Sequence, residues 1–167
     1  MKDIKLYNVI FPLWFVLFLP PVILITLVGN FVIDSLVVIA CFFIFKLADI
    51  QKSLIEFYKG SILKVWIFGF IADIIGASIL FILGMIDPLE LPNDMITGIN
   101  YDPFSNPAAV VVIIIAMLVS AVFIFMFNYK ITFSKQINDK KLRAKVAIAI
   151  ALITMPWTFL LPTKWFY

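Results

Sequence analysis

Long apolar segments alternate with short polar segments along this chain of 167 residues. The apolar segments lie at 9–45, 65–86, 108–127 and 146–161. A transmembrane helix needs roughly 20 predominantly apolar residues, and the first segment is about twice that length. The pattern therefore predicts an all-α integral membrane protein, a polytopic helical bundle that forms a single membrane domain over residues 1–167.

The first apolar segment admits two predictions. Gly29-Asn30, near its middle, is a turn signal that would separate spans at 9–27 and 31–46 and give five transmembrane helices. Pro20-Pro21 is the alternative break, because proline cannot donate a helical hydrogen bond. That break would leave an interfacial helix before it, one span over 22–45, and four transmembrane helices. We favour five spans, with Pro20-Pro21 bending the first helix.

A segment with one apolar and one polar face follows at 46–64. At 100° per residue its polar side chains project away from the apolar stripe, as Asp49, Lys52 and Glu56 show. A helix of this kind lies in the membrane interface, and Gly60-Ser61 offers a stop signal. We expect one cytoplasmic interfacial amphipathic helix here, before the span at 65–86.

Two longer polar segments separate the remaining spans, which we place at 108–127 and 146–161. The segment 87–109 contains prolines and acidic residues but neither lysine nor arginine, so it predicts an external, turn-rich acidic loop. The segment 128–145 is rich in lysine and predicts a basic cytoplasmic loop.

Basic residues set the expected orientation, since lysine and arginine concentrate in cytoplasmic loops. In the five-span arrangement, Lys164 is the one of the 13 basic residues that falls on the opposite face. We therefore expect an N-terminus in the cytoplasm and a C-terminus outside, in the plasma membrane of a bacterium. The side chains expected to contact anionic lipids of the inner leaflet are Lys46, Lys52, Lys59, Lys64, Lys140, Lys141 and Arg143.

The composition excludes many catalytic mechanisms. The chain is 64% hydrophobic and has no histidine, so histidine-held haem, HExxH zinc sites and histidine-activated nucleophiles cannot form. It also has no GxxxxGK[ST] or GxGxxG phosphate-binding loop, and Cys41 is its single cysteine. Membrane insertion already explains the basic clusters. We expect no enzyme, no cofactor, no metal site and no nucleic-acid partner.

Two carboxylates within the predicted spans carry the sharpest functional signal. Asp73 lies halfway along 65–86, and Asp34 would lie about one turn below the outer surface. Intramembrane acids face protein rather than lipid, and no lysine or arginine within the spans compensates them. Each must be protonated, hydrogen-bonded, hydrated or bound to a cation. The candidate ion-binding or proton-relay residues are Asp73, Asp34, Asn30 and Thr154, and a structural role for the acids, such as helix capping, is the competing interpretation.

Two other features bear on this site. Pro156 would free the carbonyl of Leu152, and freed carbonyls can coordinate cations in discontinuous helices. Small residues on the face of Asp73 predict close helix packing, through which copies of the chain would form a homo-oligomer. These residues are Gly69, Ala72 and Gly76.

The sequence leaves two classes of function open. We slightly favour a non-catalytic accessory, immunity or scaffold subunit that docks on a membrane partner protein. The alternative is a proton or small-cation channel or transporter that uses Asp73 and Asp34. A membrane enzyme that uses carboxylates on a lipid-phase substrate ranks third.

Overall fold

Within residues 11–49, 53–86 and 89–166, which the computed structural model describes, the chain is helical and contains no strand. Its α-helices are α1 (Leu13–Val16), α2 (Val22–Ile44), α3 (Leu54–Phe81), α4 (Asn93–Asn100), α5 (Pro107–Phe127) and α6 (Lys140–Thr154). Turns of π-helix prolong α3 over Ile82–Ile86 and α5 over Asn128–Thr132. Turns of 3₁₀-helix lie at Leu47–Asp49, Pro103–Ser105, Trp157–Leu160 and Thr163–Trp165.

Four helical stretches in the described ranges are long and apolar enough to cross a membrane: Val22–Ile44, Leu54–Ile86, Pro107–Thr132 and Lys140–Leu160. At 1.5 Å per residue α2 is about 34 Å long, which matches a hydrocarbon core of about 30 Å. Its outer face is apolar, and Leu24, Ile25, Leu36 and Ile44 are 63–74% exposed. A surface of this kind is compatible with an integral membrane location, as the sequence predicts.

The four long helices pack in a ring, in the order α2, α3, α5, α6 and back to α2. The contact between α3 and α5 is the most extensive. It is close because Gly76 of α3 faces Ser120 and the carbonyl of Ala116 on α5. A missing side chain on α3 thus lets the two backbones approach, as small residues do in membrane helix pairs.

Two clusters of buried side chains fill the bundle, one towards each end. The basic-end core includes Phe42, Phe57 and Phe133, in which the ring of Phe57 stacks on Phe133 and packs at a tilt against Phe42. The acidic-end core includes Trp14 and Phe159. The names refer to the basic residues near the first cluster and to the predicted acidic segment near the second.

The N-terminal segment is held at the acidic end by hydrogen bonds to distant residues. The backbone N–H of Leu13 donates to Thr163 Oγ1 at 2.8 Å, and that hydroxyl donates to the Asn100 carbonyl at 3.0 Å. The Trp14 indole N–H donates to the Ile99 carbonyl at 3.1 Å. Residue 13 therefore lies at the opposite end of the bundle from the basic residues, which differs from the predicted shared face. The first ten residues, with Lys2 and Lys5, lie outside the described residues.

The preferred prediction for the first apolar segment is wrong, because α2 runs without interruption through Gly29 and Asn30. The break lies at Pro20-Pro21, as the alternative prediction had it. A glycine inside a helix costs only about 1 kcal/mol, whereas consecutive prolines remove two backbone donors. The separate spans at 9–27 and 31–46 are therefore replaced by the short helix α1 and the long helix α2.

The polar segments also contain more helix than the sequence suggested. Helix α3 begins after Ser53, whose hydroxyl caps the N–H of Glu56 at 3.2 Å, and it passes through the predicted stop at Gly60-Ser61. Ser61 forms an intrahelical bond to the Phe57 carbonyl at 2.7 Å, so its hydroxyl does not compete for the helix end. The predicted loop 87–109 contains α4, and the segment 128–145 contains a π turn and the first turn of α6.

The described residues predicted to contact the inner leaflet lie just after α2, in the first half of α3 and on the first turn of α6. Lys52 is outside the described residues. Arg143 is partly buried, because its guanidinium lies 4.6 Å from the ring centre of Tyr129 and Nη1 donates to the Ser134 carbonyl at 3.2 Å. Among the predicted lipid contacts, the exposed side chains are those of Lys46, Lys59, Lys64, Lys140 and Lys141.

We predict that Gly76→Ala destabilises the protein. The added Cβ would lie 2.9 Å from the Ala116 carbonyl oxygen and still closer to Ser120 Oγ. Overpacking of this kind costs about 1–3 kcal/mol, which thermal unfolding in detergent will detect. Gly29→Ala is the matched control, because a Cβ there meets no atom within 4 Å and alanine favours the helix. Equal stability of the two variants would contradict the close α3–α5 contact.

The helix order also predicts a topology that cysteine labelling tests. In a Cys41→Ala background, Phe11→Cys, Phe104→Cys and Trp165→Cys should react with a membrane-impermeant maleimide from one side of the membrane. Lys135→Cys should react from the other side, because three long helices, α2, α3 and α5, precede it and one, α6, follows it. Phe11→Cys reacting from the side of Lys135→Cys would restore the five-span arrangement.

Candidate functional site

A cavity of about 300 Å³ lies between α2, α3 and the end of α6. Helix α2 contributes only residues from its first half, from Val22 to Asp34. The end of α6 and the turn after it contribute 153–159, and the segment before α2 contributes Leu17 and Phe18. The cavity therefore extends from the acidic end towards the middle of α2.

Asp34 and Asp73 both line this cavity. They are buried, with 5% and 8% of their surfaces exposed. A Cβ added to Gly69 would lie 3.8 Å from Asp34 Oδ2, and Gly69 precedes Asp73 by one turn on the same face. The two carboxyl groups are thus about one helical turn apart and repel each other when both are charged.

The position of Asp34 differs from the prediction of a residue one turn below the outer surface. Since α2 begins at Val22 rather than after Gly29-Asn30, Asp34 lies close to the midpoint of the helix. Asp73 lies near the midpoint of the apolar part of α3, at 65–86, as predicted. The structure therefore brings together two carboxylates from the central parts of two long helices.

Neither carboxylate has a cationic partner among the described residues, where the ion pair is Lys164 with Asp102 at 2.5 Å. Asp73 Oδ1 is buried and accepts no hydrogen bond from this part of the chain. A buried polar atom without a partner costs about 1–3 kcal/mol, and more when charged. A proton or a cation bound at Asp73 would remove this cost.

The other two residues of the predicted site also line the cavity. Asn30 lies one turn before Asp34 on α2, on the same face. Thr154 lies on α6, and its hydroxyl donates to the Ile150 carbonyl at 2.9 Å. Because that bond uses its only proton, Thr154 Oγ1 offers lone pairs to the cavity, which suit a cation.

Comparisons of the chain with protein families, with curated proteins and with solved structures give no match. What this site can do must be argued from its own geometry.

Two breaks in helices meet at this cavity. The first is the segment 17–21 between α1 and α2. Phe15 packs on Phe81 and Phe18 packs on Phe70, with ring centres 5.8 and 5.7 Å apart, so this segment runs along α3 in the direction that α2 then continues. Helices α1 and α2 therefore form one discontinuous helix.

The second break follows Thr154, where α6 ends before Pro156. The carbonyls of Ile153 and Thr154 accept no backbone hydrogen bond within the described residues, and the same holds for those of Leu17 and Phe18. All four residues line the cavity. Unwound carbonyls of this kind bind cations in discontinuous membrane helices.

The proposed role of the Leu152 carbonyl is not supported. Pro156 does free this group from the helix, but the Trp157 indole N–H donates to it at 3.3 Å. The sequence identified the break at Pro156. Because the helix ends there, the carbonyls without a backbone donor are those of Ile153 and Thr154.

The cavity lies on the acidic-end side of Asp34. Towards the basic end, α2 buries Val37, Val38 and Cys41 in the basic-end core. A separate apolar groove of about 350 Å³ lies there between α2 and α6, and Ile153 lines both spaces. Cys41 is a buried packing residue.

The small residues near Asp73 pack against other helices of the same chain. Gly76 contacts α5, Ala72 is fully buried, and Gly69 leaves room for the Asp34 carboxylate. This face is therefore covered in the single chain, and the predicted contact between copies through it is not supported. Within the described residues, no group of three acidic or cysteine side chains is placed to hold a metal ion.

Sequence reasoning missed the aromatic wall of the cavity. Phe18, Phe70, Trp157 and Phe159 line it, and none of them is among the predicted site residues. Phe70 shares the face of Asp73 at i, i+3 spacing, and this was the available signal. The others come from segments whose position depends on the two helix breaks.

We predict that Asp73→Leu leaves the fold intact and raises its stability. The substitution removes a buried oxygen without a partner, worth about 1–3 kcal/mol, and the adjoining cavity has room for the larger side chain. Thermal unfolding in detergent measures the change. Asp139→Ala is the contrasting variant, because Asp139 Oδ1 caps the N–H of Lys141 at 2.8 Å and its loss costs about 0.5–2 kcal/mol. A destabilised Asp73→Leu protein would make Asp73 a structural residue.

Proposed function

We propose that this protein is a small multi-pass membrane transporter that binds a proton or small cation at Asp34 and Asp73. The observation that carries the proposal is the meeting of two uncompensated carboxylates from two helices in one cavity. Intramembrane acids of this kind mark ion or proton pathways.

The chemistry of the cavity favours a positively charged occupant. Its polar groups include two carboxylates, the lone pairs of Thr154, the Asn30 side chain and carbonyls at the helix breaks. Most of these groups accept hydrogen bonds or coordinate cations. An occupant that carries one positive charge, or a single shared proton, also relieves the repulsion between the two carboxylates.

The position of the cavity suggests a transport cycle. The cavity lies on the acidic-end side of the carboxylates, and the basic-end core lies on the other side. Transfer requires a second arrangement in which that core opens and the acidic end closes. The unwound segments beside Pro20-Pro21 and Pro156 are the natural hinges, because few backbone hydrogen bonds need to change there.

We infer an orientation with the basic end in the cytoplasm. Lys59 and Lys64 of α3, with Lys140 and Lys141 of α6, would then contact anionic inner-leaflet lipids. The first turns of α3 would take the place of the predicted interfacial helix. Four crossings put both ends of the described chain, together with α4, on the external side.

An accessory, immunity or scaffold subunit, which the sequence slightly favours, is the competing proposal. In that role a partner protein would dock on the basic segments or on the region around α4, and the two aspartates would be dispensable. The complete cavity within one chain makes ion transport the better-supported proposal. It also means that a homo-oligomer is not needed to assemble the site.

The decisive experiment measures proton and sodium flux in proteoliposomes. We expect flux for the wild type, and its loss in Asp73→Asn and Asp34→Asn, because asparagine keeps the shape of the side chain and removes its charge. Asp49→Asn is the matched control, since Asp49 is exposed at the basic end, outside the cavity.

Thermal unfolding of each variant separates loss of transport from loss of folding. A wild type without flux, or flux that persists in both cavity variants, would reject the transport proposal and favour the accessory subunit. Pull-down of a partner that depends on Lys140 and Lys141 would then be the next measurement.

A further inference from the structure

The size of the cavity points to an occupant larger than an inorganic ion. A volume of about 300 Å³ corresponds to about ten water molecules at roughly 30 Å³ each. A bare sodium ion would leave most of this space to water, against largely apolar walls. Sites for small organic molecules begin at about this volume and have this composition, with apolar walls and a few convergent polar groups.

The walls are suited to an organic cation. Asp34 and Asp73 supply negative charge, and Asp73 Oδ1 is an unpartnered atom of a side chain that is more than nine-tenths buried. Phe18, Phe70 and Trp157 supply aromatic surface in the same cavity. Aromatic faces attract cations when water is excluded, and apolar walls gain from covering a hydrocarbon body.

A second cavity adjoins this site. It has about 400 Å³ and lies between the N-terminal segment and α3, where Trp14, Phe15 and Phe81 line it. Phe18 and Phe70 line both cavities, and their ring centres are 5.7 Å apart at a tilt of 51°. This pair of rings is the partition between an apolar lateral groove and the carboxylates.

We propose that the cation of this transporter is a small organic ammonium with an apolar body, which enters past Phe18 and Phe70. This inference rests on the proposed function and names its substrate class. The ammonium group would donate hydrogen bonds to Asp34 and Asp73 and to carbonyls at the helix breaks. The apolar body would lie against the aromatic wall.

Calorimetric titration of the protein in lipid nanodiscs tests the proposal, with benzylammonium as the probe. Benzyl alcohol is the matched neutral ligand, because it has nearly the same size and shape and no charge. We expect benzylammonium to bind at least about tenfold more tightly, a difference of about 1.4 kcal/mol. Asp73→Asn should remove this preference.

The aromatic wall is tested separately by Phe70→Ala. Loss of a desolvated cation–π contact, worth about 0.5–2 kcal/mol, should weaken benzylammonium binding about 2- to 30-fold. Phe68→Ala is the matched control, because Phe68 lies on the same helix and stacks on Phe127 at 5.0 Å, outside both cavities. The control should bind as the wild type does.

The outcomes separate this inference from the proposed function. Equal binding of benzylammonium and benzyl alcohol, or no binding of either, overturns the organic-ammonium proposal. If aspartate-dependent proton or sodium flux is nevertheless present, the transport proposal stands with an inorganic substrate. Charge-selective binding that both Asp73→Asn and Phe70→Ala weaken, with Phe68→Ala unchanged, supports the inference.

Discussion

Close packing of α3 against α5 is the constraint on which the rest of the structure depends. Gly76 removes the side chain that would separate the two backbones, and Ser120 and the Ala116 carbonyl occupy the resulting space. This rigid pair fixes the face of α3 that carries Gly69 and Asp73. Helices α2 and α6 then pack around it, and the cavity forms where neither of them fills the space beside that face.

The cavity contains groups that are unfavourable inside a membrane bundle. Two buried carboxylates without cationic partners are costly in an apolar medium, and so are backbone carbonyls that helix formation would have satisfied. Such groups are tolerated where they line a cavity that water or a ligand can enter. The buried carboxylates and the unpaired carbonyls lie at the same cavity, and a bound cation or proton would offset the cost of both.

The sequence predicted the helical membrane class and singled out four polar residues that line the cavity, but it did not predict their arrangement. Asp34, Asp73, Asn30 and Thr154 were identified because polar groups inside apolar segments are conspicuous. Their meeting in one cavity depends on contacts between segments far apart in the chain, such as Leu13 with Thr163. Local signals also misled at Gly29-Asn30, because a turn signal in an apolar segment is weaker than helical hydrogen bonding in a medium without water.

The two proline breaks show why features that are weak individually become informative together. A proline in a membrane helix most often produces only a kink, and neither Pro20-Pro21 nor Pro156 indicates a site by itself. The structure places both breaks at the cavity that contains Asp34 and Asp73. A bundle that served only to hold four helices in a bilayer would be more stable with leucine at both aspartates and with continuous helices. The coincidence of four unfavourable features around one cavity therefore supports the proposal that the cavity, rather than an external surface, is where this protein acts.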